Sequence, residues 1–407
     1  MDNRQWREFL DAAMGAPPGR VTVAAVRRRL VRRRVREAAG VLAVVVVAVA
    51  GVTAAVGAFG GASGPAARNR PAASTVYVDY QSPPRARFAG TVIPISTATN
   101  TPGKPIRLGT FGLMAITPDG KTIYLTAGDE IIPISTATNT PGKPILVGNG
   151  RTGDIAMDPN GKTAYVHGIL TDTVIPISTA TNRPGNPIRV GSLPAGMAFT
   201  PDGKTVYVVS SGSGTVTSIS TATNTAGKPI RIGRNFHAIA ITPDGKTAYV
   251  GGLGTVVPIS TATNRPGKPI RVSGGAVDIA ITPDGKTAYI GGGDTVIPIS
   301  TATNRAGRPI RVGIPAEEFA ITRDGATVYV ANGEGPIGTV VPISTATNTA
   351  GKPIRIGVAV TIAITPDGKT LYAAAQNKVV PISTATNTPG KTIPARYGFP
   401  VGIVITP

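Results

Sequence analysis

The chain has 407 residues, of which 41% are hydrophobic and 15% charged, so it can bury a large core and does not have the composition of a disordered protein. It has no cysteine, which excludes disulfides, thiolate metal sites and cysteine nucleophiles, and its two histidines, His167 and His237, leave little for histidine-based catalysis. The net charge of +20 indicates a surface that attracts polyanions.

The first element in chain order is an uncharged stretch, residues 41–59, that follows an arginine-rich one. Nineteen residues in a helix span roughly 28 Å, about the thickness of a bilayer core, so we predict a transmembrane helix at 40–60. Seven arginines lie between Arg27 and Arg36, and the positive-inside rule therefore places residues 1–39 in the cytoplasm as a basic tail and the rest of the chain outside the membrane. Residues 61–74 read as a short spacer.

An alternative for the N-terminal segment is a cleaved signal peptide, which would leave the protein secreted. The small residues near Ala62 favour this alternative, whereas the 39-residue leader and the long apolar run favour a retained single-pass anchor. Because the Arg27–Arg36 segment lies directly against the predicted membrane, we expect it to contact anionic lipid, and we expect no nucleic acid as a partner.

The remainder of the chain is a series of repeats. The segment STATN occurs eight times at intervals of 39 to 44 residues, with its serine at positions 96, 135, 178, 220, 260, 300, 344 and 383. Such a period is typical of four-stranded propeller blades or of helical pairs. One copy reads as four strands, which we name A (238–242), B (247–250), C (255–260) and D (269–272). Proline in nearly every copy excludes long helices, so we predict an all-β fold.

A tyrosine recurs in strand B of every copy. We expect this row to pack between blades with its hydroxyl groups bonded, because that is far commoner than a ligand site at repeat spacing. The tyrosines are Tyr77, Tyr124, Tyr165, Tyr207, Tyr249, Tyr289, Tyr329 and Tyr372.

The two ends of the repeat region supply complementary strands. The first strand, Thr75–Val78, corresponds to strand B, and the last residues, Gly402–Pro407, correspond to strand A. The termini would therefore share one blade and close the ring without an open edge. We predict an eight-bladed β-propeller at 75–407, with seven blades as the alternative if one copy lies outside the ring.

The repeated pattern TVxPISTATNTPGKPIRVG followed by IAITPDGKTxYV resembles the YVTN-type propeller repeats of microbial surface and secreted proteins. The resemblance covers residues 75–407, and its four-letter signature is matched best at Tyr329–Asn332, which reads YVAN. It implies a propeller fold on an exported protein and says little about activity.

The repeats predict one uniform face and one variable face of the disc. The A–B turns (TPDGKT) and C–D turns (STATNTPGKP) are nearly identical, as turn chemistry explains, although eight equal loops could also bind a repetitive polymer. The B–C and D–A connections differ between copies, so we expect a ligand site on their side. Its ligand-face candidates are Arg151, Arg234, Phe236, His237 and Glu317.

Three acids, Asp154, Asp278 and Glu318, precede strand A in their copies and should surround one mouth of the central channel. They are weak candidates for a metal site, with Ca²⁺ as the ion that oxygen ligands suit, and the alternative is that they are solvated side chains in a wet channel. We expect no other cofactor.

The sequence contains no G-x-S-x-G, H-E-x-x-H or P-loop motif, and no residues are proposed as catalytic. We therefore expect a binding or scaffold module at the cell envelope, whose partner is an anionic polymer or a protein. The alternative is a metal-dependent hydrolase or lactonase-like propeller enzyme with its site at the channel mouth.

Overall fold

The computed structural model describes residues 74–81, 90–148, 151–276, 278–332, 338–358 and 360–407. The predicted basic tail and transmembrane helix, and the spacer up to residue 73, lie outside the described residues. Within the described ranges, no helix has the length and apolar character needed to cross a membrane. These ranges form eight antiparallel sheets, one per repeat, which we number as blades 1 to 8.

The strands of each blade follow the order A, B, C, D from the centre outwards. In blades 1 to 8, strand A is Phe399–Ile405, Met114–Ile116, Thr152–Met157, Pro194–Phe199, Phe236–Ile241, Asp278–Ile281, Glu318–Ile321 and Thr361–Ile364. Strand B is Thr75–Gln81, Thr122–Ala127, Thr163–Gly168, Thr205–Ser210, the first part of Thr247–Ser260, Thr287–Gly292, Thr327–Ala331 and Thr370–Ala375. Strand C is Gly90–Ser96, Glu130–Ser135, Thr173–Ser178, Thr215–Ser220, the second part of Thr247–Ser260, Thr295–Ser300, Thr339–Ser344 and Lys378–Ser383.

Strand D consists of two short pieces in every blade, whereas the sequence predicted one continuous run. The first pieces directly follow the STATN segment and are Thr101–Pro102, Thr140–Pro141, Arg183–Pro184, Thr225–Ala226, Arg265–Pro266, Arg305–Ala306, Thr349–Ala350 and Thr388–Pro389. The second pieces are Ile106–Arg107, Ile145–Leu146, Ile188–Arg189, Ile230–Arg231, Ile270–Gly275, Ile310–Arg311, Ile354–Arg355 and Ile393–Pro394. In blades 1 to 7 a proline lies between the two pieces and has no amide hydrogen to donate to the ladder. Blade 8 has Thr392 at that position and shows the same interruption, so the path of the turn contributes as well.

The A–B turns form because a threonine and an aspartate fold the chain back locally. In blade 5, the Thr242 hydroxyl donates to Asp244 Oδ1 (2.6 Å), and the Lys246 amide donates to the same oxygen (3.0 Å). Gly245 takes a φ of +72°, which a side chain would disfavour. The C–D turn is tied to this turn, since the Thr261 hydroxyl donates to the Gly245 carbonyl (2.5 Å). The predicted turn chemistry of the uniform face is confirmed.

The ring closes as predicted, and the number of blades is eight rather than seven. Strand A of blade 1 pairs with the first strand of the chain, with Val76 opposite Ile405 and Tyr77 opposite Val404. The Tyr80 hydroxyl also donates to the carbonyl of Lys378 (3.1 Å), which links blade 1 to blade 8. Neighbouring A strands contact each other all the way round, so strand A is innermost.

The strand-B tyrosines bond each blade to the next, which confirms the expected inter-blade role. Each side chain is at most 1% exposed. Its hydroxyl donates to Oδ1 of the asparagine in the STATN turn of the next blade around the ring, at 2.5–2.7 Å. That asparagine has a φ of 53–55° in every copy, a conformation in which asparagine is among the best-tolerated residues after glycine. Eight apolar clusters, one between each pair of adjacent blades, form the core.

Candidate functional site

The three predicted metal-site acids lie at equivalent positions of strand A in blades 3, 6 and 7, facing the inner ring. Asp154 is 2% exposed, Asp278 6% and Glu318 8%. The alternative that they are solvated side chains of a wet channel is therefore wrong. Adjacent A strands are in contact and cover these carboxyl groups.

Two of these carboxyl groups link neighbouring blades. Asp278 accepts from the backbone amide of Phe319 in the next blade (3.0 Å) and from the amide of Ile279 (2.7 Å). Glu318 accepts from the hydroxyl of Thr361 (2.9 Å) and the amide of Ile362 (3.1 Å), again in the next blade. Burial raises the pKa of Asp278 to about 7 and that of Glu318 to about 8. At neutral pH Glu318 is therefore largely protonated and Asp278 about half protonated, and both act as inter-blade links.

Asp154 belongs to a separate arrangement in blade 3. Its backbone amide donates to Nε2 of His167 (2.9 Å), which fixes the proton of the neutral imidazole on Nδ1. Burial lowers the pKa of His167 to about 4 and raises the pKa of Asp154 well above its usual value. The His167 ring packs directly over Gly153, where any side chain would collide with it. His167 is therefore buried and neutral at pH 7, and its hydrogen bond joins it to the backbone of Asp154.

A fourth buried acid, Asp79, was missed by the sequence reasoning. It lies in strand B of blade 1, is fully buried and accepts from the Gly112 amide of blade 2 (2.9 Å), and burial raises its pKa to about 8. The sequence did contain a signal, because an acid in the middle of the apolar strand TVYVDYQ has no counterpart in the other copies.

The inner ring does not present a converging set of ligands. Nowhere in the described part of the chain do three or more His, Asp or Glu side chains lie close enough to hold one metal ion. A Ca²⁺ site takes six or more oxygen ligands, whereas Asp278 and Glu318 direct oxygens at backbone amides. The metal assignment of Asp154, Asp278 and Glu318 stays a prediction.

The five ligand-face candidates do not form one group. Arg234 is exposed, whereas Phe236 is 7% exposed and packs in the core between blades 4 and 5. His237 is partly buried, and Phe236 and His237 begin strand A rather than lying in a loop. Glu317, also buried, lies beside Glu318 and raises its pKa electrostatically, together with Asp278. Arg151 is partly exposed in blade 3.

The outer edge of the propeller carries a second set of candidate side chains, which the sequence reasoning did not single out. We define eight edge segments, each of which begins at the STATN serine and covers the C–D turn and the start of the second piece of strand D; the segment of blade 8 extends to Arg396. They contain seventeen Lys and Arg residues and no Asp or Glu, and all seventeen are exposed. The edge segments are 96–108, 135–147, 178–190, 220–232, 260–272, 300–312, 344–356 and 383–396.

Strand geometry explains why these charges point outwards. In the second piece of strand D the isoleucine is buried against strand C, as Ile230 is at 5% exposure, and the next residue, Arg231, therefore faces solvent. An open groove of about 600 Å³ lies between this strand and the C–D turn of blade 5. Its walls are Lys228, Pro229, Ile230 and Arg231 on one side and Thr263, Asn264 and Pro266 on the other.

Comparison with known proteins supports the fold. No family model and no curated protein matches the chain. Among solved structures, the chain is similar to a dihydro-heme d1 dehydrogenase, NirN, in complex with DHE (TM-score 0.71, 14% identity, 84% of this chain and 77% of that one). It is also similar to AztD from Citrobacter koseri in the apo form (TM-score 0.61, 12% identity, 82% and 98%) and to hydrazine synthase from Kuenenia stuttgartiensis (TM-score 0.55, 19% identity, 71% and 96%). At these identities the likeness shows the propeller fold alone.

Proposed function

We propose that the protein is a binding module for an anionic polymer at the cell envelope. The observation that carries this proposal is the outer edge, where seventeen exposed cations occur without one carboxylate in the same segments. Lys and Arg in such numbers attract polyanions and release their counterions on binding.

Four Lys–Asp ion pairs lie in the A–B turns. In the A–B turns, Lys204 and Lys246 pair with Asp202 and Asp244 (3.6 and 3.4 Å). At the edge, neither Lys228 nor Arg231 pairs with a carboxylate in the described part of the chain. At these two positions no ion pair within the described residues offsets the positive charge.

The location of the module is part of the proposal. We propose that residues 40–60 anchor the protein in the cytoplasmic membrane, with the Arg27–Arg36 segment against anionic lipid inside and the propeller outside, as in the YVTN-type surface proteins that the repeats resemble. Protease added to intact cells should remove the propeller and leave a fragment of about the N-terminal 70 residues in the membrane. Protection of the propeller would contradict this orientation.

The binding function is tested with the full-length protein in detergent. We expect it to bind a linear polyanion in fluorescence-anisotropy titrations, with an affinity that falls steeply with salt concentration. Absence of binding to polyphosphate and to polygalacturonate at 0.1 M salt would refute the function. The hydrolase alternative receives no support from the inner ring, because its carboxyl groups are buried and bonded to backbone.

A further inference from the structure

The positive charge of the edge is unevenly distributed around the ring. Blades 3 to 7 carry twelve of the seventeen edge cations, whereas blades 8, 1 and 2 carry five. Two of the departures occur at the strand-D arginine position, which is Leu146 in blade 2 and Pro394 in blade 8. The seam between blades 8 and 1 has a more apolar groove of about 340 Å³, lined by residues such as Ile93, Pro394 and Tyr397. The strand-D arginines therefore form an unbroken arc over blades 3 to 7, and Arg107 of blade 1 stands alone between the two blades that lack one.

The inter-blade groove within this arc has donors on both walls. Lys228 and Arg231 of blade 4 supply ammonium and guanidinium groups, which cannot accept hydrogen bonds. On the opposite wall, Oδ1 of Asn264 already accepts from the Tyr207 hydroxyl (2.7 Å), so the amide group of this side chain is oriented by the pair and left to donate. The groove is therefore suited to a ligand rich in acceptors and negative charge.

The same design recurs along the arc. The second piece of strand D contacts the first piece of strand D in the next blade at the junctions of blades 3–4, 4–5, 5–6 and 6–7. At each of these junctions a tyrosine–asparagine pair fixes the amide on the far wall. A polymer that follows the edge would meet the same two strand pieces and the same oriented amide at each of these four junctions.

We propose that the arc of blades 3 to 7 binds a flexible polymer of phosphoryl groups that carries no bases, with its charged groups seated along successive blade junctions. A phosphoryl group presents tetrahedrally arranged oxygens that can accept from donors on two walls at once, whereas the two oxygens of a carboxylate are coplanar. Nucleic acid fits less well, because single-strand binding uses exposed aromatic side chains. Among the described residues, the largely exposed aromatics are Phe111 and Phe399, and neither lies in the edge segments. This inference rests on the proposed function and specifies its ligand and location.

The test compares two variants of the full-length protein that lose the same number of charges. The arc variant carries Lys228→Gln, Arg231→Gln, Arg271→Gln and Arg308→Gln. The gap variant carries Lys391→Gln, Arg396→Gln, Lys104→Gln and Lys143→Gln. All eight side chains are exposed, so both variants should fold, which thermal unfolding verifies. The probes are linear polyphosphate, polygalacturonate of equal charge and single-stranded DNA.

We expect the arc variant to bind polyphosphate at least about tenfold more weakly, and its plot of log affinity against log salt to be shallower by about three. The gap variant should change affinity by less than about threefold, and the wild type should prefer polyphosphate over both other probes. Equal losses of affinity in the two variants would overturn the assignment of the site to the arc. Equal or tighter binding of polygalacturonate would overturn the preference for phosphoryl groups, and equal or tighter binding of DNA would overturn the preference for a polymer without bases. Either result would leave the proposed function intact, since that fails only if the wild type binds no polyanion.

Discussion

The hydrogen bond between Tyr372 and Asn100 offers a direct test of ring closure, because the two residues are 272 positions apart and join blade 8 to blade 1. The Tyr372 hydroxyl is buried and donates to Asn100 Oδ1 at 2.6 Å. Replacing it by Phe removes one hydrogen bond while keeping the ring that fills the core. A buried neutral hydrogen bond contributes about 0.5–1.5 kcal/mol to the free energy of unfolding.

The expected loss for Tyr372→Phe lies near the middle of this range, about 1 kcal/mol, because Asn100 is exposed and water can replace the lost donor. In a domain of this size such a loss corresponds to a fall in Tm of about 1–2 °C. A double-mutant cycle with Asn100→Gly isolates the pair, since glycine tolerates the φ of 54° at this position. The coupling energy, measured by urea unfolding, should be about 1 kcal/mol.

The matched control is the pair Tyr207 and Asn264, which joins blades 4 and 5 away from the ring closure. Its hydroxyl donates to Asn264 Oδ1 at 2.7 Å. If the ring is closed, the two cycles should give coupling energies that agree within about 0.5 kcal/mol. A coupling near zero at the Tyr372 pair together with about 1 kcal/mol at the Tyr207 pair would refute the reasoning, because it would mean that blades 8 and 1 do not meet in solution.

Two further predictions concern the inner ring. Because burial raises the pKa of Asp278 to about 7 and of Asp79 and Glu318 to about 8, the folded protein keeps protons that the unfolded chain has released, and stability should fall by about 2–5 kcal/mol from pH 6.5 to 8.5. Urea unfolding across this range measures how the free energy of unfolding changes with pH. The double variant Asp278→Asn with Glu318→Gln should show a smaller change. Stability that rises with pH would contradict the raised pKa values. Gly112→Ala should cost more than about 3 kcal/mol, because its Cβ would lie 1.8 Å from the Thr126 carbonyl oxygen and disturb the link to Asp79. Gly128→Ala, which meets no atom within 4 Å but has a φ of +63°, should cost only about 1 kcal/mol in the same unfolding assay.

Much of the fold was predictable because the repeats make local rules visible eight times. The Pro-Asp-Gly turns, the tyrosine row and the pairing of the two termini all follow from residue types at a fixed period. The division of strand D into two short pieces could not be predicted, because it depends on which backbone amides of the turn find partners. In blade 5, strands B and C merge into Thr247–Ser260, with Gly254 at a φ of +69°, where the sequence suggested two strands.

The candidate site was predicted less well, because burial at the inner ring depends on how closely eight A strands approach one another. A carboxylate before a strand reads as a solvated loop residue, yet Asp278 and Glu318 bond to the next blade, more than 40 positions along the chain. Asp79 escapes a search of loops and strand ends because it lies inside strand B. The edge cations were visible in the sequence, but as repeated residues they were attributed to turns.

The repeats themselves show which of their shared residues the fold requires. The tyrosine and its asparagine partner are present in all eight copies, and each pair bonds two blades. The strand-D arginine is different, because Leu146 replaces it in blade 2 and is 61% exposed, while that strand pairs with strand C as in the other blades. The scaffold therefore folds without the arginine. It is exposed at the corresponding position of blade 1 and of every blade from 3 to 7, as the proposed binding of a polyanion at the edge requires.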